Sequence, residues 1–294
     1  MHHSWHRTAA SFLTASLLCA FGALQSAYGE PRKASVQKPP NASCDRAHFR
    51  VIIDVGHSAD VPGAMSARGV PEYTFNLGLA QKIERKLLDA GFSRTVLLIT
   101  PGKALVGLVK RVAFANHTPA DLFLSIHHDA VPNSFLQTWV YEGRNLHYSD
   151  RFKGHSIFVS NDNDEYKTSL LFGRILGLQL KSMGLKYTPH YVEKFMGRRQ
   201  RQLVDAEAGV YRFDNLVVLR STNMPAVLFE AGSIVNREEE LLMANPEHQS
   251  LIASAVTSAV ESFCLTRSPH KAEQRIARRP FEERASQPPL GYAQ

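Results

Sequence analysis

The chain has 294 residues, 44% of them hydrophobic and 21% charged, with a formal net charge of +7. That balance excludes a disordered polymer, a collagen and a many-pass membrane protein. At about 150 residues per domain the length allows one or two domains, but loose flanks at both ends leave 48–265, enough for one substantial core and too little for two.

In chain order, residues 1–29 have the three parts of a secretory signal. His2, His3, His6 and Arg7 form a mildly basic start, Ala9 to Leu24 is apolar, and Ala27-Tyr28-Gly29 offers small residues before a cut at Glu30. Cys19 raises a lipoprotein alternative, which Leu18 in front of it argues against. The mature chain is therefore expected to be exported, in a periplasm-like compartment. No run of roughly 18 apolar residues follows, so no retained transmembrane anchor is expected. Residues 30–47, with Pro31, Pro39 and Pro40, read as a linker.

His48 to Val55 is a β-branched run that reads as a buried strand. Gly56 to Gly69 is a Gly-, Ala- and Ser-rich loop. Glu72 opens a helix with Leu79, Ile83, Leu87 and Leu88 on one face, closed by Gly91. A strand over Thr95–Thr100, a helix over Leu105–Asn116 and a strand over Asp121–Ile126 follow. Residues 131–153 are aromatic and polar without a clear period. Ser156–Ser160 reads as a strand and Thr168–Met183 as a helix. In 186–213 a short helix over Leu203–Ala208 is expected. Leu216–Leu219 and Ala226–Phe229 read as strands, and Glu238–Met243 and His248–Phe263 as helices. Residues 266–294 read as a basic, loose tail.

Strands alternating with helices predict an α/β catalytic domain over 48–265 with a mixed, mostly parallel six-stranded sheet flanked by helices. The mature chain keeps two cysteines, Cys44 before the first strand and Cys264 at the end of the last helix. In an oxidising compartment the pair can close and staple the two ends. The basic excess, partly in Arg267, Lys271, Arg275, Arg278 and Arg279, suits an anionic wall polymer or membrane surface. Export and the lack of a nucleic-acid motif argue against DNA or RNA.

In parallel sheets the active site lies beyond the carboxyl ends of the strands. Three predicted strands end there in titratable groups: the first at Gly56-His57, the third at His127-His128-Asp129, and the last at Glu230. Glu72 joins the same rim if the Gly-rich loop folds back. Two imidazoles and a carboxylate make a zinc set that leaves one position open to water, and Glu230 is placed to accept and return a proton.

These segments resemble the zinc-dependent N-acetylmuramoyl-L-alanine amidases that act in daughter-cell separation, over roughly 49–264. The resemblance rests on three ordered motifs: Val51-Ile52-Ile53-Asp54-Val55-Gly56-His57 with the loop to Glu72; Ala120-Asp121-Leu122-Phe123-Leu124-Ser125-Ile126-His127-His128-Asp129-Ala130; and Pro225-Ala226-Val227-Leu228-Phe229-Glu230-Ala231-Gly232, then Asn236 and Glu238-Glu239-Glu240. It implies one zinc ion held by His57, Glu72 and His127, with Glu230 as the catalytic glutamate. The implied reaction is hydrolysis of the amide between N-acetylmuramic acid and L-alanine in peptidoglycan. Strand alternation puts His127 with Ser125 and His128 with Ile126, and the motif selects His127 as ligand. His128, where the family has a small residue, orients substrate, supports a ligand or fills space, and Asp129 is a further substrate or support candidate. Val55 replaces a Pro, Ser58-Ala59 replaces Gly-Gly, and Ser233 stands where an aromatic is common.

Relatives of this type often carry an extra segment between the fourth and fifth strands, and in some of them a helix there places a glutamate over the zinc until a partner protein binds. Here 186–213 is the candidate regulatory insertion, with Glu193, Asp205 and Glu207 as candidate plugs. Arg198, Arg199 and Arg201 offer another role, contact with substrate carboxylates. Two rival readings are a related zinc peptidase acting on wall peptides and a catalytically silent peptidoglycan-binding protein. Nothing chemical obliges a silent relative to keep all four site residues.

Overall fold

The computed structural model describes residues 43–267. The expected signal over 1–29, the linker up to residue 42 and the tail from residue 268 lie outside the described residues. Strands β1 (Val51–Val55), β2 (Val96–Leu98), β3 (Leu122–Asp129), β6 (Ser156–Val159), β7 (Gln202–Asp205), β8 (Val210–Arg212) and β9 (Ala226–Ser233) form one sheet, and β4 (Gln137–Tyr141) pairs with β5 (Arg144–Tyr148) in a separate hairpin. The helices are α1 (Glu72–Asp89), α2 (Ala104–His117), α3 (Tyr166–Ser182), α4 (Val217–Arg220), α5 (Glu239–Ala244) and α6 (Pro246–Leu265).

The sheet order is β2-β1-β3-β9-β6-β8-β7. The four strands β2, β1, β3 and β9 run parallel; β6 is antiparallel to β9, and β7 is antiparallel to β8. The expected class holds, and the expected six strands become seven. Two local readings change. Residues 216–219 are not a strand: Val217–Arg220 is a helical turn whose Val218 and Leu219 enter the core. A four-residue apolar run carries no period that separates the two states. The short helix expected over 203–208 is instead the end of strand β7 and a turn: Gln202 and Leu203 pair with Arg212 and Tyr211 of β8, and a register shift at Val204 precedes Asp205.

Alternation along the strands splits the core into two layers. Val51, Ile53, Val55, Leu122, Leu124 and Ile126 meet Leu79 and Ile83 of α1, Phe172 and Leu176 of α3 and Val256 and Phe263 of α6. Ile52, Phe123 and Leu228 point the other way, against Ala115 of α2, Leu219 of α4, Tyr191 and Met196. Each such side chain contributes on the order of 1.5–3 kcal/mol by leaving water. Cys44 and Cys264 are joined as a disulfide with Cα atoms 5.2 Å apart, as the sequence reading allowed.

The hairpin was invisible in the sequence pattern. Its turn is Glu142-Gly143, with both φ angles positive (48° and 74°). That is the conformation of a type I′ connection, usually signalled by Asn-Gly or Asp-Gly. Trp139, Tyr141, Leu146 and Tyr148 share its inner face, and the Trp139 indole donates to Ala67 O at 2.9 Å. The hairpin therefore clamps the loop between His57 and Glu72. No helix of the described residues is long and apolar enough to cross a membrane.

Candidate active site

Strand β1 delivers Asp54 and the Gly56-His57 corner. His57 is held at φ 66°, a left-handed conformation uncommon outside glycine. Its carbonyl and that of Val55 accept hydrogen bonds from Arg111 of α2, whose Nε lies 3.0 Å from Asp54 Oδ1. Asp54 also accepts from Ser125 Oγ at 2.6 Å. Gly56 sits so close to the His127 ring that a Cβ there would overlap it. The loop then returns, with Glu72 N donating to Ala64 O at 2.8 Å and Tyr73 N to Pro62 O at 2.9 Å. This seats Glu72 as the first residue of α1, where the helix dipole favours a carboxylate.

Glu72 joins the two histidines. Its Oε2 lies 3.0 Å from His57 Nε2, and its Oε1 lies 3.0 Å from His127 Nδ1. One candidate ligand atom from each of the three residues falls within a common 4.8 Å. Burial would raise the Glu72 carboxyl, but the His127 and His57 hydrogen bonds overcome it and hold the pKa well below the usual range. Glu72 is thus ionised. The side chains of His57 and His127 remain 31% and 15% exposed, so the group opens to solvent on one side. Two imidazoles, one ionised carboxylate and one open side match the donor set of a catalytic zinc site.

His128 points to the opposite face from His127. Its Nδ1 lies 2.8 Å from Asn76 Oδ1, and Asn76 Nδ2 donates to Glu72 Oε1 at 3.2 Å and to Gly56 O at 3.2 Å. Burial pushes the His128 pKa down to about 3, so the ring is neutral. Of its three readings, support of a ligand through Asn76 is the one these contacts favour. Asn76 and Arg111 were not singled out in the sequence. Asn76 is one helical turn after Glu72, a spacing that signals a shared face; nothing local marked Arg111.

Glu230 lies beside His127 across the β3–β9 pair. The residue is half-buried, but its Oε2 is shielded from solvent without a hydrogen-bond partner among the described residues, and Ser156 stands opposite it on β6 with an unpartnered Oγ. Burial, with the charges of Asp129 and Glu72, pushes the Glu230 carboxyl well above the usual range. Asp129 ends β3 and accepts from the Tyr191 hydroxyl at 2.8 Å on each oxygen. Burial raises its pKa to about 6 against the opposing Tyr191 bond and Arg199 charge.

The candidate plugs do not join this group. Glu193 is exposed between two 3-10 turns, His190–Val192 and Lys194–Arg199. Asp205 pairs with Arg174 of α3 at 3.2 Å, and Glu207 with Lys181 of α3 at 3.5 Å. The segment instead brings Tyr191 to Asp129 and Arg199 to the carbonyl of Ala130.

The family model for N-acetylmuramoyl-L-alanine amidases matches residues 51–262. The chain is 24% identical over 220 residues to a putative N-acetylmuramoyl-L-alanine amidase of Buchnera aphidicola subsp. Baizongia pistaciae, covering 74% of this chain and 97% of that protein. It is 26% identical over 230 residues to the N-acetylmuramoyl-L-alanine amidase AmiA of Escherichia coli K12, covering 72% and 75%. Among solved structures, the amidase Ami1 of Mycobacterium smegmatis superposes with a TM-score of 0.56 at 18% identity, over 75% of this chain and 99% of that one. The CwlD amidase of Clostridioides difficile, solved in complex with the GerS lipoprotein, gives 0.54 at 20% identity, over 74% and 100%. The two structural likenesses support the fold alone.

Proposed function

The chain belongs to the N-acetylmuramoyl-L-alanine amidase family, and from that premise we propose a zinc-dependent mechanism in which His57, Glu72 and His127 hold one ion and Glu230 moves the proton. The reaction is hydrolysis of the amide between N-acetylmuramic acid and L-alanine in peptidoglycan, a step of cell-wall remodelling. The observation that carries the residue assignment is the convergence of the three donor atoms within 4.8 Å beside the buried carboxyl of Glu230.

Zinc in this set would polarise the amide carbonyl and acidify a water to a pKa near ~7. The rest falls to the chain. Asn76 fixes the Glu72 carboxylate from behind, and Asp54 with Arg111 fixes the His57 corner. Glu230, in a desolvated position with an unpartnered oxygen, is suited to take a proton from water and return it to the leaving nitrogen. Its raised affinity for the proton fits the second half of that shuttle. The disulfide supports an exported, oxidising location. An accessory protein partner is also part of the reading, in line with the lipoprotein bound to CwlD in its solved structure.

The test is zinc content and muropeptide release on one purified preparation. Wild type is expected to carry one zinc and release stem peptides that begin in L-alanine. Glu230→Gln should keep the zinc and lose release by about 10²–10⁴-fold. His127→Ala should lose both. Full activity of either variant would end the residue assignment.

A further inference from the structure

The segment from Tyr187 to Arg201 is tied down along its length. Tyr191 and Met196 are buried in the second core layer, and the Tyr191 hydroxyl holds Asp129. Gly197 then takes φ 53° and ψ −121°, a turn that L side chains rarely adopt. Directly after it the chain presents Arg198 and Arg199 to solvent.

Arg199 is fixed at the rim by its Nη1, which donates to Ala130 O at 3.2 Å, one residue beyond Asp129. Its charge acts on Asp129, Glu230 and His190. Arg151 arrives from the other side, from the stretch after the hairpin. Its guanidinium lies 4.2 Å from the Phe195 ring centre and 5.1 Å from that of Phe152. Phe152 in turn lies 4.9 Å from the His190 ring, and the Arg151 charge also acts on His190. Phe195 stands four residues before Arg199 in the same 3-10 segment, so the ring that carries the Arg151 guanidinium and the arginine tied to Ala130 O belong to one short stretch of chain.

Neither guanidinium has a carboxylate within ion-pair distance among the described residues. Arg46, Arg68, Arg111, Arg174, Arg212 and Arg237 each do. Arg201 is different again, stacked 3.5 Å over Phe213. Arg151 and Arg199 are thus positioned by ring faces and by a carbonyl, with no carboxylate bonded to either guanidinium among the described residues. Planar guanidiniums held in this way suit an incoming carboxylate, which they can meet with paired N–H donors.

We propose that Arg151 and Arg199 form an anion subsite at the rim of the active site, and that it takes the carboxylate of the second stem-peptide residue. The inference rests on the amidase reading of the same site. On the peptide side of the scissile amide, L-alanine is neutral. The γ-linked glutamate that follows carries the first free carboxylate. The subsite sets specificity by reading whether that carboxylate is free or amidated.

The experiment uses the zinc-loaded protein and two muropeptides that differ only there, one with γ-linked glutamate and one with γ-linked isoglutamine. Wild type is expected to show the lower KM for the acid. Arg199→Gln should raise that KM by about tenfold, the loss expected for a charge-assisted hydrogen bond, with little effect on the KM of the amide substrate, and any change in kcat should be the same for both. Arg151→Gln should act in the same direction, Arg199→Lys should fall between, and Arg198→Gln should match wild type. Equal KM values for the two substrates in wild type would overturn the subsite. So would an Arg199→Gln defect confined to kcat and equal on both. If wild type releases peptide from neither substrate, the amidase reading itself falls and the subsite falls with it.

Discussion

Gly56 shows how little room the site leaves. A methyl group there would overlap the His127 ring, so Gly56→Ala must displace either His127, the proposed zinc ligand, or the β1 corner. Zinc affinity is expected to fall by about 10–100-fold, the range seen when a ligand's support is disturbed, with far-UV circular dichroism unchanged. Competition with a chelator measures it, and unchanged affinity would refute the packing argument. His155 makes a second residue-scale prediction. It is buried against Phe229, neither ring nitrogen has a hydrogen-bond partner among the described residues, and burial lowers its pKa to about 4. The unfolded chain titrates near pH 6.5 and so takes up the proton first as pH falls. Stability is therefore full above about pH 6.5 and is lost progressively toward pH 4, by about 2 kcal/mol at pH 5. His190, lowered to about 4 by burial and by the Arg199 and Arg151 charges, adds to the same slope. Urea midpoints at pH 7 and pH 5 should diverge in wild type and converge in part in His155→Leu. At this scale the four residues assigned to ligation and proton transfer were legible because each closes an apolar run or opens a helix. Arg111 and Tyr191 were not, because their roles arise from contacts more than 50 residues away in sequence, while Asn76 carried only its one-turn spacing from Glu72.

The elements divide by how much periodicity they carry. α1, α3 and α6 each show several buried positions at helical spacing and were placed to within a few residues. Val217–Arg220 and Gln202–Asp205 were assigned to the wrong state because four residues hold too little pattern to decide. The β4–β5 hairpin was missed because Glu142 stands where Asn or Asp would announce the turn. Yet that hairpin bears on the site. Trp139 holds Ala67, and the guanidiniums of Arg68 and Arg237 lie 5.4 Å and 5.2 Å from its ring. Trp139→Ala removes the indole donor and both stacking contacts, so a loss of about 1–3 kcal/mol is expected. The mobile part should be the loop joining His57 to Glu72. Hydrogen exchange should rise first at Ala64, Ser66 and Ala67, whose neighbours carry the return of the chain. Protection lost equally across all elements would argue that the hairpin stabilises the whole fold rather than that loop.

Across the molecule, the disulfide closes a sequence separation of 220 residues. Chain-entropy reasoning gives roughly 5 kcal/mol for a loop of that size, through restriction of the unfolded state. For a domain of this length that corresponds to about 10 °C or more in Tm. Thermal unfolding with and without reductant should differ by about that amount, and the double variant Cys44→Ala, Cys264→Ala should unfold like the reduced protein. No difference would mean that the bond adds nothing to the entropy of closure. The mixed sheet also separates two tasks. Its parallel half, β1, β3 and β9, with the start of α1, carries the residues assigned to zinc and the proton, while β6 carries Ser156 and the chain leading into β7 carries Tyr191 and Arg199. The first half follows a pattern that motifs reveal; the second depends on antiparallel register, which no local signal in this sequence specified.

The same sulfur bridge has a geometric consequence for engineering. Because Cys44 and Cys264 have Cα atoms 5.2 Å apart, the described domain enters and leaves at almost one point, a spacing that fits the opening of a surface turn in a host protein. That point lies before the start of β1, and His57 follows its end, so the two sit at opposite ends of a strand roughly 17 Å long. Residues 43–267 could thus be spliced as a cassette into a loop of an unrelated carrier, with the catalytic face directed outward, away from the seam.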